Sequence, residues 1–166
     1  MLKLVGCAVA LLLSLNQNQL PPKEGKIATV SDPKANFAAF KTYTWEKGYE
    51  AHDPSAHKTI VEAVDAELAA RGFQKLPSGK GDVNIRYHTN VRTDVDLKKI
   101  SDYEREGKLA PTKMLGRLVI VMRDAKNTQV WAADTVQAID ADSGARNNQI
   151  KQLIVEMFEN YPSPKK

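Results

Sequence analysis

From Asp82 to Arg92 the chain alternates between apolar and polar residues. Val83, Ile85, Tyr87 and Val91 fall on one side, and Asp82, Asn84, Arg86, His88 and Arg92 on the other. Successive side chains of a strand point to opposite faces of a sheet. This run therefore predicts a strand with one dry face and one wet face. Residues 115–123 repeat the pattern, with Leu118, Ile120 and Met122 opposed to Arg117, Val119, Val121 and Arg123. The polar stretch Asp124-Ala125-Lys126-Asn127 predicts a hairpin turn, and 128–139, with Trp131, the return strand. A chain with such strands must form a sheet and must cover its dry side.

Two segments can supply the cover. Ile60, Val61, Val64 and Leu68 recur at three and four residues, which is one stripe of an amphipathic helix. Ser55 is placed to cap it, and Gly72 after Arg71 to end it. Near the other terminus Ile150, Leu153, Ile154, Met157, Phe158 and Tyr161 form a second stripe, on a helix starting near Ser143 or Asn147. Short β-prone runs at 27–31 and 41–45 precede the first helix. Residues 93–112 are a long polar stretch with Gly107 and Pro111, either a loop or an extension of a hairpin, and long loops are often functional. The order predicts an α+β fold of two layers: an antiparallel sheet of about four to five strands with two helices packed on one face. The other face is left uncovered.

The 166 residues fit a single domain. Lys3 precedes an apolar run from Leu4 to Leu15, about 12 residues where a spanning helix needs about 20. A positive start, a short apolar run and then Asn16-Gln17-Asn18-Gln19 outline a secretory signal peptide. The expected organisation is a signal peptide at 1–16, a linker at 17–26 with Pro21-Pro22, one α+β domain at 27–162 and a tail at 163–166. The competing reading of the start is an amino-terminal helix of the mature fold. Cys7 likewise has two readings. Leu4-Val5-Gly6-Cys7 has the form of a lipobox whose cysteine is acylated, but the cysteine lies near the start of the apolar run rather than at its end. Otherwise it is a small apolar residue inside a leader. Membrane association is expected only if Cys7 is lipidated or the leader is retained.

One cysteine excludes an internal disulfide framework and a cysteine-rich metal site. Of the three histidines, His52 and His57 flank Pro54 and His88 lies on the wet side of a strand, so no ligand cluster is expected. Asp94-Val95-Asp96 lacks the glycine and distal glutamate of a calcium loop. Gly79-Lys80-Gly81 precedes a strand, where a phosphate loop needs a helix. No Gly-x-Ser-x-Gly elbow is present. Asp134, Asp140 and Asp142 suit turns and a helix cap as well as they suit paired catalytic carboxylates. The net charge is +4, from 24 Lys+Arg against 20 Asp+Glu, and the two signs are interleaved along the chain. Nucleic-acid binding wants a concentrated basic stripe with stacking aromatics, so it is not expected. Tyr43, Trp45, Tyr87 and Trp131 all fall on strands, where core packing is the simplest role.

An ordered set of blocks resembles the domain-of-unknown-function 4136 family. The first is Asn36-Phe37-Ala38-Ala39-Phe40-Lys41-Thr42-Tyr43-Thr44-Trp45. Glu67-Leu68-Ala69-Ala70-Arg71-Gly72-Phe73 is similar to the end of its next helix, and Gly81-Asp82-Val83 to the following strand entry. Gly116-Arg117-Leu118-Val119-Ile120 with Asp124, then Val130-Trp131, resembles its hairpin, and Phe158-Glu159-Asn160-Tyr161-Pro162 its terminal helix. The resemblance runs from Ile27 to Pro162. It implies a bacterial envelope protein, often a lipoprotein, with no established activity and no catalytic residues to carry over. The chain departs from the pattern in its early cysteine and in Ala132-Ala133 after Trp131.

The expectation is an exported, non-enzymatic domain of the periplasm or outer envelope, without cofactor or metal, acting by binding or assembly. Its contact surface is expected on the uncovered sheet face at Arg86, His88, Arg92, Arg117 and Arg123, together with 93–112. The partner is an envelope protein or a small amphipathic ligand. The alternative, a carrier for such a ligand, predicts a closed apolar cavity between sheet and helices. A hydrolase, the third reading, predicts a cleft with convergent polar groups.

Overall fold

The longest alternating run forms a strand that continues past the point where the sequence pattern loosens. In the computed structural model, which describes residues 21–97, 99–109 and 111–162, this strand is β4 (Val83–Val95). It pairs antiparallel along its whole length with β5 (Thr112–Asp124), Val83 facing Asp124 and Val95 facing Thr112. β6 (Gln129–Ala138) returns antiparallel to β5 through a turn in which Asn127 adopts a left-handed φ of 64°. A bulge falls between Met122 and Arg123. The expected leader with Cys7 and the expected tail at 163–166 lie outside the described residues.

The remaining strands are β1 (Ile27–Ser31), β2 (Thr42–Trp45) and β3 (Gln74–Lys75). The sheet order is β1-β6-β5-β4-β2-β3. It holds six strands rather than four to five, and it is mixed rather than antiparallel, because β2 runs parallel to both β4 and β3. The reason is the first helix. α1 (Pro54–Ala70) is a crossover that carries the chain back over the sheet before the two-residue β3 is added at the edge. Past β2 the chain stays beside β4, with the Glu46 amide donating to the Ile85 carbonyl and the Thr89 amide to the Tyr49 carbonyl. Gly48 permits this approach, since a Cβ there would sit 1.9 Å from the Tyr87 carbonyl oxygen.

α3 (Ser143–Glu159) packs beside α1 on the same sheet face, as expected. Asp53, not Ser55, caps α1 by accepting from the Ser55 amide, and Asp142 caps α3 by accepting from the Ala145 amide. Gly72, at φ 84°, ends α1 as its sequence position predicts. A third helix, the short α2 (Ile100–Arg105), lies within 93–112, so that stretch is a hairpin extension with a helical tip. Among the described residues no helix is long and apolar enough to cross a membrane.

The aromatic part of the core lies at the end of the sheet where the helices finish. Trp131, Phe158 and Tyr161 pack together with ring centroids 4.9–6.2 Å apart, and Phe73 and Phe37 join through Tyr161. Asp65 on α1 ties the helix to the strands. It accepts from the Tyr43 hydroxyl at 2.7 Å, the Trp45 indole at 2.8 Å and the Lys75 ammonium at 2.7 Å. Burial and the Asp65 carboxylate together push the Tyr43 phenol up from its ordinary range.

Candidate functional site

The register places all five expected contact residues on the sheet face away from the helices. Arg86 faces Val121, His88 faces Val119, and Asn84, Asn90 and Arg92 face Arg123, Arg117 and Leu115. The strands thus bring the five together, but as a surface on which three of the four arginines are paired with carboxylates. Arg86 pairs with Glu46 at 2.9 Å, Arg92 with Asp94 at 3.6 Å, and the Arg117 Nε donates to Asp134 at 2.9 Å. Arg123 donates to the Asn127 side chain at 3.1 Å. His88 accepts from the Tyr49 amide at Nδ1. Burial, then the charges of Arg86 and Arg123, hold its pKa below the ordinary imidazole value.

One end of this face is covered. The Gly25 amide donates to the Val136 carbonyl, and Lys113 pairs with Glu24 at 2.5 Å. Pro21, Pro22, Lys23 and Glu24 line a depression with Leu115 and Val136, both of which are buried. The stretch expected to be linker is therefore docked on the outer face over its last residues. Composition alone reads Pro21-Pro22 as a linker because it carries no signal for the tertiary ion pair at Glu24.

On the helix side, strand and helix lengths do not match. β4 and β5 have 13 residues each, about 43 Å at the rise of an extended chain. α1 and α3 have 17 residues each, about 26 Å. Both helices begin at the end of the sheet where β4 finishes, so the last residues of β4 and the first of β5 project beyond them as an arm. Between the helix starts and the sheet lies an open cleft of about 600 Å³. Leu118 and Gly116 form part of its floor, Ile60 of α1 and Ile150 and Leu153 of α3 its walls, and Val91 and Met114 lie at its edge on the arm. Asp53 and Arg146 form an ion pair across the helix starts, and the Asn147 amide donates to the Ser55 hydroxyl at 2.8 Å. The Asp53 carboxyl is held below its ordinary range, first by the Ser55 amide and, more weakly, by Arg146.

This cleft occupies the place expected for a carrier's cavity, but it is open rather than closed. Its floor carries Thr135 and Gln137 beside Leu118 and Gly116, bonded to one another, and at the helix starts Asp53 and Arg146 are engaged in capping and pairing. Sequence periodicity assigns Ile150 and Leu153 to the core stripe of α3, and both do lie on the inward side, but over the cleft. The signal that could have exposed it was Val91, whose alternation continues past any helix able to cover it. Among the described residues no group of three or more His, Cys, Asp or Glu side chains is arranged to hold a metal ion.

The profile of the family described as domain of unknown function (DUF4136) matches residues 27–163. No curated protein sequence matches the chain. Among solved structures, the fold is similar to a PDZ domain protein from Parabacteroides distasonis, with TM-score 0.59 and 16% identity over 84% of this chain. The match spans 36% of that longer protein. The fold is also similar to the PelC dodecamer from Paraburkholderia phytofirmans, with TM-score 0.52 and 14% identity, covering 80% of this chain and 94% of that one.

Proposed function

The chain belongs to the DUF4136 family, and from that premise and the geometry of the arm we propose a non-enzymatic, exported domain of the bacterial envelope that works by assembly with further copies of itself. The observation that carries the reading is where apolar surface is left in water. Seven large hydrophobic residues are exposed among the described residues, and five of them lie on the arm: Val91, Val95, Leu97, Leu109 and Met114. Leu97 is 73% and Leu109 93% exposed, at either side of α2. Such a concentration on a projecting element marks a contact site, because scattered single exposures would not gather in one place. The likeness in fold to a chain that forms a dodecamer favours a second copy as the partner. The five outer-face residues Arg86, His88, Arg92, Arg117 and Arg123 form a secondary surface, since a partner there meets charges that are largely balanced within the chain.

Light scattering of the purified protein tests this. The wild type should exceed the mass of one chain and lose mass on dilution, and the double variant Leu97→Ser with Leu109→Ser should fall to one chain. A wild type that stays monomeric at every concentration, or a double variant with unchanged mass, overturns the reading.

A further inference from the structure

We propose that the cleft between the helix starts and the sheet binds the aliphatic chain of a single-chain amphiphile with a neutral or zwitterionic head. This goes beyond assembly through the arm and does not depend on it.

The volume, about 600 Å³, is in the range of small-molecule sites, roughly 300–1,000 Å³. The lining selects the chemistry. Ile60, Leu118, Ile150 and Leu153 are branched aliphatic, and no Phe, Tyr or Trp lines the cleft. The aromatic residues of the core sit at the far end of the helices, around Trp131 and Tyr161. A site for a flat ring would gain from stacking partners. A cleft with aliphatic walls, in which the Ile139 side chain lies over Gly116, suits a flexible hydrocarbon instead. Val91 and Met114, at 57% and 50% exposed, extend the apolar track from the floor onto the arm. Placing a chain along that track removes their apolar area from water, which is the main driving force for such a ligand.

The rim selects the head. The charges at the helix starts are Asp53 and Arg146, which neutralise one another and already hold α1 to α3, and Arg117, also in the lining, is paired with Asp134. An anionic head would have to compete with Asp53 for the guanidinium. A head without net charge can lie against the pair and the neighbouring Gln137 and Gln149 without breaking it.

The test is calorimetric titration of the full chain with lauroyl-lysophosphatidylcholine below its micellar concentration. The controls are glycerophosphocholine, which is the same head without a chain, and laurate, which is the same chain with a charged head. Saturable binding at one ligand per chain is expected for the lysophospholipid and none for glycerophosphocholine, with laurate weaker. Leu153→Trp, which fills the cleft, should lower the affinity by more than about tenfold. Val155→Trp, the same kind of change on the exposed side of α3, should keep the wild-type affinity. Met114→Glu, at the exposed entrance and compared in the Leu97→Ser/Leu109→Ser background so that assembly through the arm plays no part, should weaken binding as well. It decides the matter if Leu153→Trp does not fold. No saturable binding by the wild type, or binding untouched by the cleft variants, overturns the proposal. Laurate binding more tightly than the lysophospholipid overturns the assignment of the head. The arm variants Leu97→Ser and Leu109→Ser should shift the assembly mass and leave this affinity alone, so the two readings fail separately.

Discussion

β4 and β5 contain two halves that the same pattern writes and the fold treats differently. In the lower half Val83, Ile85 and Tyr87 stand against Asp124, Met122 and Ile120, and all but Asp124 are buried. In the upper half Val91 and Val95 stand against Gly116 and Thr112, in the same unbroken register, and both valines are exposed. The alternation, strand pairing and side of the sheet are the same in both halves. Only the helices differ, since they reach over one half and stop short of the other. Periodicity therefore fixes the face on which a side chain lies, and the length of the covering layer decides whether that face is dry.

The largest effect should separate the halves most sharply. Trp131→Ala removes a fully buried ring from the aromatic cluster and should cost about 3–5 kcal/mol in urea unfolding. Val95→Ala, made in the double variant Leu97→Ser with Leu109→Ser so that no second copy covers the arm, should change stability by no more than about 0.5 kcal/mol, as exposed positions do. A Val95→Ala cost approaching that of Trp131→Ala in that background would break the comparison, because it would mean that the chain itself covers the arm.

The lower half is the part that could be read from the sequence. Its alternation, both helix stripes, the turn at Asp124 and the placement of Arg86, His88, Arg92, Arg117 and Arg123 on one face follow from period alone. The rest needed contacts between distant residues. β3 has two residues and no period of its own, and exists because β2 offers an open edge to the chain leaving α1. Asp65 reads as part of a helix's polar side. Its partners, Tyr43, Trp45 and Lys75, lie 10 to 22 positions away in the chain. The cleft was illegible for a related reason: each of its walls is an ordinary apolar stripe, and the gap is set by a difference in length between layers.

Asp65 supplies the next effect in size. Asp65→Ala leaves the Tyr43 hydroxyl and Trp45 indole N–H without their acceptor and should cost about 2 kcal/mol. Asp102 on the arm pairs with Arg105 at 2.8 Å, yet both side chains are mostly exposed. Asp102→Ala should therefore cost less than about 0.5 kcal/mol. Equal costs would show that the polar contacts of the two regions are equivalent and that the contrast between them is confined to apolar packing.

Acid unfolding should also report on the body rather than the arm. The Asp82 carboxylate accepts from the Lys41 and Thr42 amides and the Thr42 hydroxyl, joining β2 to the entry of β4. Those bonds, led by the Lys41 amide, hold its pKa below the ordinary carboxylate value. A depressed carboxylate contributes its stability above the unfolded pKa of about 3.9 and loses it as pH falls through the folded value. Asp82→Asn should therefore flatten the acid limb of stability against pH. An unchanged limb would mean that the bonds persist when Asp82 is protonated.

The smallest effect tests how far the body's environment reaches across the outer face. His88 is held below its usual pKa by burial first, then by Arg86 and Arg123, and its Nδ1 accepts from the Tyr49 amide. The neutral ring is thus the form the fold prefers. Its contribution is complete above the unfolded pKa of about 6.5 and is lost as pH falls from there through the lower folded value. An NMR titration should place the His88 midpoint below about 6.5. Arg123→Ala should move that midpoint upward by removing a like charge, and Arg92→Ala, farther along β4 and paired with Asp94, should leave it in place. If the two substitutions act equally, the field over the outer face is diffuse and does not divide between body and arm. If only Arg123→Ala acts, the division seen in apolar packing on the helix side holds for charge on the opposite face, and the arm is set apart on both of its surfaces.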